Sequence, residues 1–247
     1  PLLRRVGALQ EHKVGDLDAA IETYREILAM QAGDNEALDA LTRLYRARGR
    51  WADLADSLQR RLDQVDLGND QIPLLFELSQ IHATRLRNSQ KAIAGFLQIL
   101  DLEPDHLPTI DALEVLRRAD PSSALPVMRG LLPYYRSIRD HGREAEAMEV
   151  IIMAEPDAAA RATQLTSLAN LYGQMEGRRA DALRVRRELF VMNPEDAALR
   201  SEVERTGREL QRMDLVTGAY GQILKNMRKA EEAAEARGQA VSREHQA

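Results

Sequence analysis

Along most of this chain, apolar residues return every three or four positions and never alternate strictly. Leu38, Leu41, Leu44 and Tyr45 form one such stripe, and Ala20, Tyr24 and Leu28 form another. Leu54, Leu58 and Leu62 form a third. That spacing places each set on one face of a helix. The stripes are interrupted by Gly15, Gly49, Asn88 and Gly177, and by Pro104, Pro156 and Pro194. The pattern therefore predicts short amphipathic helices joined by tight turns, with no run that reads as a strand.

The helices repeat. "GDLDAAIETYREIL" begins at Gly15 and "GRWADLADSLQRRL" at Gly49, 34 residues later, and the residues after each glycine match in kind. Leu17 corresponds to Trp51, Ala20 to Leu54, Tyr24 to Leu58 and Leu28 to Leu62. A second alignment sets Leu78–Pro104 on Leu168–Pro194 without a gap. It pairs Ser79 with Ala169, His82 with Tyr172, Ala92 with Ala182 and Ile93 with Leu183.

These units resemble the tetratricopeptide repeat. That family's pattern runs W-x2-L-G-x2-Y, then A-x3-F, then P, over about 34 residues. Here L-x2-Y-type matches fall at Leu41/Tyr45 and Leu168/Tyr172, A-x3-aromatic pairs at Ala20/Tyr24 and Ala92/Phe96, and closing prolines at Pro104, Pro156 and Pro194. Small residues at Ala20, Ala92 and Ala182 would let paired helices approach closely, and the large residue one turn on would fill the space between units. The third and sixth units read as carrying an extra residue in the inner turn. The resemblance implies an all-α, right-handed superhelical solenoid of about seven antiparallel helix pairs, in which each pair buries its apolar face against its neighbours.

Three stretches follow from the pattern: repeats 1–3 over residues 1–106, irregular proline-rich helical pairs over 107–156, and further repeats ending in a capping helix over 157–247. In the middle stretch Pro121, Pro126, Pro133 and Gly130 loosen the register. Pro133 is expected to open the helix carrying Tyr134, Tyr135 and Ile138. The irregularity reads as a kink rather than a boundary between subarrays. The end, "KNMRKAEEAAEARGQAVSREHQA", reads as a polar helix.

Composition narrows the function. A net charge of −5 and a pI near 5.7 argue against general nucleic-acid binding. The absence of cysteine excludes disulfides and thiolate metal sites and suits a reducing, cytoplasmic setting. No apolar run approaches the roughly 20 residues of a membrane helix. The chain starts at Pro1, which suits a piece of something longer. Only Lys13, Lys91, Lys225 and Lys229 are lysines among 34 basic residues, an arginine bias that fits GC-rich coding and a bacterial source.

Nothing in the motifs points to catalysis, a cofactor or a metal. His12, His82, His106, His141 and His245 are scattered, and no H-E-x-x-H, phosphate loop or nucleophile elbow occurs. His82 holds the Tyr172-equivalent core position. Asp140-His141 resembles a dyad but lies in an inter-helix turn. The clusters Glu103-Pro104-Asp105, Glu155-Pro156-Asp157 and Pro194-Glu195-Asp196 end one helix and start the next, where acidic residues suit the macrodipole. Two arginine runs remain: Arg43, Arg46, Arg48 and Arg50, and Arg178, Arg179, Arg184, Arg186 and Arg187. They read first as solvated helix faces with interleaved carboxylates, and second as a surface for an acidic peptide or nucleic acid.

The family resemblance implies that the first helix of each pair lines a concave surface. The candidate groove residues are then Arg5, Leu9, Asp39, Arg43, Arg46, Phe76, Gln80 and Asn170. One known use of such grooves clamps a chaperone's C-terminal carboxylate with a Lys and an Asn one turn later. Here Arg5/Leu9 and Asp39/Arg43 stand at those positions, so the clamp pattern is not met. The expected role is a non-catalytic scaffold that binds a protein or peptide partner, with no small-molecule substrate and no membrane insertion. A regulatory or sensor module for an attached effector domain is the alternative. Helical-repeat RNA binding is a further one, disfavoured by the acidic charge.

Overall fold

The computed structural model describes the backbone of residues 2–66 and 68–244 and side chains through residue 235; His245 lies outside the described residues. Within them the chain is an all-α helical-repeat solenoid with thirteen α-helices and no strand. The contacts divide it into two units, residues 1–134 and 135–247, and the division falls inside one helix.

In the first unit, α1 (Leu2–Leu9) continues as a π-helical turn to Val14 and packs on α2 (Leu17–Met30). The next pairs are α3 (Asn35–Arg48) with α4 (Trp51–Leu62), and α5 (Ile72–Thr84) with α6 (Ser89–Leu102). Then come α7 (Leu107–Ala119) and most of α8 (Ala124–Ser137). The second unit holds α9 (His141–Met153), the pair α10 (Ala158–Gln174) and α11 (Arg179–Met192), and the pair α12 (Ala197–Glu209) and α13 (Met213–Glu244).

The expected small-then-large packing holds. Ala20 and Ala92 are fully buried, Ala182 is 1 % exposed, and Tyr24 and Phe96 are buried one turn on. One continuous core joins α2, α3, α4 and α5, from Ala20 through Leu38 and Leu58 to Ile81. A second core joins α11, α12 and α13 through Phe190, Val203, Val216 and Ile223. The longer inner turns of the third and sixth units appear as residues 85–88 and 175–178.

Helix ends follow the acidic turns. Asp16, Asp34, Asp140, Asp157 and Asp196 each accept a hydrogen bond from the backbone N–H three residues on. Their carboxylates thereby satisfy donors that a helix leaves open at its start. Asp140 is such a cap and His141 the first residue of α9, so the apparent dyad is a helix start. At α7 the cap position belongs to His106 rather than Asp105, and its ring nitrogen sits 2.8 Å from the Thr109 hydroxyl.

Two local readings differ. Gly15, Gly49 and Gly177 adopt the left-handed conformation, but in the third unit Arg87 (φ 51°) adopts it and Asn88 caps the next helix. Arg139 and Gln211 do likewise. Each strained residue is locked by the next residue's N–H reaching back into the preceding helix, as Asp140 N–H does to the Tyr135 carbonyl. Pro133 does not open a helix. It lies inside α8, so the middle stretch supplies three helices, α7, α8 and α9, where two pairs were expected. The lost hydrogen bond is tolerated because Leu131 and Tyr135 on either side are fully buried.

Candidate groove and its surroundings

Seven of the eight candidate groove residues lie in the first unit, on α1, α3 and α5. Arg5 and Leu9 are exposed on α1, and Gln80 is exposed on α5. Phe76 is half-buried, with its ring 5.7 Å from those of both Phe96 and His106. Three of the four charged residues, Asp39, Arg43 and Arg46, are engaged. Arg43 makes two 2.7 Å hydrogen bonds to Glu11, and Arg46 bonds Glu77 on α5. Asp39 lies 3.1 Å from Arg61. The Arg43 guanidinium holds the Glu11 carboxyl below the usual carboxylate range.

Apart from Arg187, whose buried Nε has no hydrogen-bond partner, both arginine runs are tied into ion pairs. Arg48 pairs with Asp18 and Arg50 with Asp53. In the second unit Arg178 meets Asp181, Arg179 meets Glu209, Arg184 meets Glu149 and Arg186 meets Glu202. Many partners stand close to one repeat away: Arg4 and Asp34, Arg43 and Glu11, Arg46 and Glu77, Arg179 and Glu209 are 30 to 32 residues apart. These pairs cross from helix to helix and partly neutralise the basic surface. Asp34 is buried, caps α3 and accepts from Arg4 at 2.5 Å, which holds its carboxyl low.

The aromatic positions of the first helices carry a recurring stack. Arg50 lies over the Tyr45 ring at 5.2 Å and Arg178 over Tyr172 at 4.8 Å. Tyr172 donates to Glu149, and burial together with that hydrogen bond pushes its hydroxyl up to about 12. His82, at the equivalent place, has a buried Nδ1 with no hydrogen-bond partner. It lines a groove of about 800 Å³ between α4, α5 and α6, and burial followed by the Lys91 charge pulls its imidazole down, against a smaller opposing pull from Asp56.

A depressed imidazole makes a pH prediction. The unfolded chain binds His82's proton more readily than the folded one, so its contribution is complete above about pH 6.5 and shrinks as pH falls toward the lowered folded value. The urea midpoint of the parent is expected to drop between neutral and mildly acidic pH, and His82→Phe should drop less. Equal drops would assign the effect to other groups.

Asn170 lies in the second unit, on the rim of a groove of about 670 Å³ walled by α10, α11 and α12. The α10 wall is built from Ala158, Ala162, Thr163, Thr166 and Ala169. The Thr163 and Thr166 hydroxyls donate to the carbonyls of Ala159 and Ala162, one turn back. Their oxygens are thereby satisfied within the helix. The wall consists of small residues and carries no charge. Leu189, Met192 and Leu199 add apolar floor, and the Arg186–Glu202 pair stands at the edge at 3.3 Å. The exposed Asn170 amide has no hydrogen-bond partner among the described residues. The sequence contains this wall as "AAARATQLTSLAN", but small residues carry no chemical signature until a neighbouring helix shows which face is open.

Among the described residues no three histidine or carboxylate side chains gather as a metal site, and no helix is long and apolar enough to cross a membrane.

A tetratricopeptide repeat model matches residues 37–71, which cover α3, α4 and the turn toward α5. No curated protein matches the chain. Among solved structures, MamA is 19% identical, with 80% of this chain and 93% of that one covered and a TM-score of 0.37. The tetratricopeptide domain of P58(IPK) is 15% identical over 94% of this chain and 65% of that one, with a TM-score of 0.39. A tetratricopeptide repeat protein from Parabacteroides merdae is 15% identical over 90% and 78%, with a TM-score of 0.37.

Proposed function

We propose that this chain, which carries a tetratricopeptide repeat at residues 37–71, is a non-catalytic scaffold that holds a protein partner along the faces of its first helices. The observation that carries the reading is the α10–α12 groove, with its uncharged wall of small residues beside an amide free to bond. A peptide laid there meets few immobilised side chains, and Asn170 offers both a donor and an acceptor to the partner's backbone. An extended segment or a helix with small or apolar contact residues fits best. In the first unit the corresponding faces are engaged by ion pairs and contribute less readily available charge, so the second unit is the primary site.

The test is quantitative capture of partners by the intact chain and two groove variants. Thr166→Arg and Asn170→Ala are expected to lose at least about tenfold of the captured partner, equivalent to about 1.4 kcal/mol. Gln98→Arg, on the wall of the α4–α6 groove, should capture as the parent does. Undiminished capture by Thr166→Arg would remove the groove from the account. Charge reversal of Arg43 or Arg46 is a poorer probe, because it sets Glu against Glu11 or Glu77 and disturbs the fold itself.

A further inference from the structure

The arginine runs that stand out in the sequence are largely neutralised, but a less conspicuous set of cations is not. Between Glu77 and Asp101 the chain carries no acidic residue. Within that interval the turn joining α5 to α6 exposes Arg85, Arg87 and Lys91. None of the three is in an ion pair among the described residues, and Arg85 instead lies over the Trp51 ring at 4.6 Å. Asp120 reaches this turn through Ser89, but it also accepts two hydrogen bonds from Ser122. Asp56 acts on His82 from α4 and pairs with none of the three cations. The turn itself is held firmly, because the Leu86 and Asn88 N–H groups donate back to the Ile81 and His82 carbonyls at 3.0 and 2.8 Å.

The neighbouring turns set the size of what this one can hold. In the turn before it Arg48 pairs with Asp18 and Arg50 with Asp53, and in the turn after it Arg117 and Arg118 both meet Glu114. The free positive charge is therefore one turn wide. A nucleic acid gains affinity by spreading contacts over many phosphates, and an anionic membrane is held by clusters of about four to eight basic residues. A short peptide segment with a few carboxylates matches the patch better. The two guanidinium groups offer forked donors to carboxylates and Lys91 adds a point charge, while the locked turn keeps the ordering cost of binding low. We infer that the α5–α6 turn is a docking surface for a short acidic segment of a protein partner, independent of the α10–α12 groove.

Anisotropy titration of the chain against a fluorophore-labelled, terminally blocked hexaglutamate tests this. The parent should bind saturably, and added salt should weaken the binding. Trp51 is the only tryptophan, so its emission should change as unlabelled peptide saturates the Arg85 guanidinium stacked on it. Arg87→Gly combined with Lys91→Gln should bind at least about tenfold more weakly, with Arg85 and Trp51 left in place. Its fold is preserved, because glycine suits the left-handed backbone at 87 and glutamine forms helix about as well as lysine. Lys13→Gln combined with Arg60→Gln removes the same charge from two exposed positions elsewhere and should bind as the parent does. A parent that does not bind, equal losses in the two double variants, Trp51 emission unmoved at saturation, or tighter binding of an oligothymidylate of equal charge would each overturn the inference.

Discussion

Ala92→Glu is expected to lower stability by about 4 kcal/mol or more, the largest single effect in the molecule. Ala92 is fully buried on α6, which packs along the length of α5. The approach of these two helices is close: a Cβ on Gly95, one turn on, would meet the Ser79 Oγ at 2.2 Å. A glutamate at 92 brings four further heavy atoms beyond Cβ into that contact, and overpacking alone costs about 1–3 kcal/mol. It also brings a carboxylate into a fully buried position, where it either remains charged at high cost or binds a proton. For a chain of this size each kcal/mol moves the melting temperature by roughly 2–4 °C, so a fall of about 10 °C is expected in a thermal scan. A melting temperature within a degree or two of the parent would show that the repeat register is misplaced.

Phe96→Ala should cost about 3–5 kcal/mol, the range for removing a large buried ring. Phe96 is 1% exposed and stands 5.7 Å from Phe76, which in turn meets His106 at the same distance. Its loss opens a cavity between α5 and α6 and removes the support of Phe76, a half-buried candidate groove residue. Phe96→Leu keeps most of the volume and should cost less than half as much. Urea midpoints of the two variants separate these outcomes, and similar values would mean that the ring's volume is not what this contact requires.

The repeat was legible because close packing is periodic: the Gly15–Gly49 spacing and the gapless alignment of Leu78–Pro104 on Leu168–Pro194 impose the same small and large residues at the same turns. The acidic turns were legible for a local reason, since a helix start needs acceptors whatever surrounds it. Arg87, Arg139 and Gln211 were not legible, because tertiary contacts rather than residue type force their left-handed backbone. The continuity of α8 through Pro133 was hidden for a similar reason. Its flanking residues are buried, and burial outweighs one missing hydrogen bond.

The candidate site divides the same way. The family resemblance pointed to Arg5, Leu9, Gln80 and Asn170, and all four are exposed. It could not show that Arg43 and Arg46 are held by Glu11 and Glu77, because those partners lie about one repeat away. Searching the sequence for opposite charges 30 to 32 residues apart would have found several of these pairs.

The most direct test of the scaffold role places a photo-crosslinking benzoylphenylalanine at Asn170 of the chain in cells, with the same group at Gln98 as the control. The account predicts a discrete covalent adduct to another polypeptide at position 170, lost when Thr166→Arg is added, and none at position 98. Adducts absent from position 170, or equal at both positions, would contradict it.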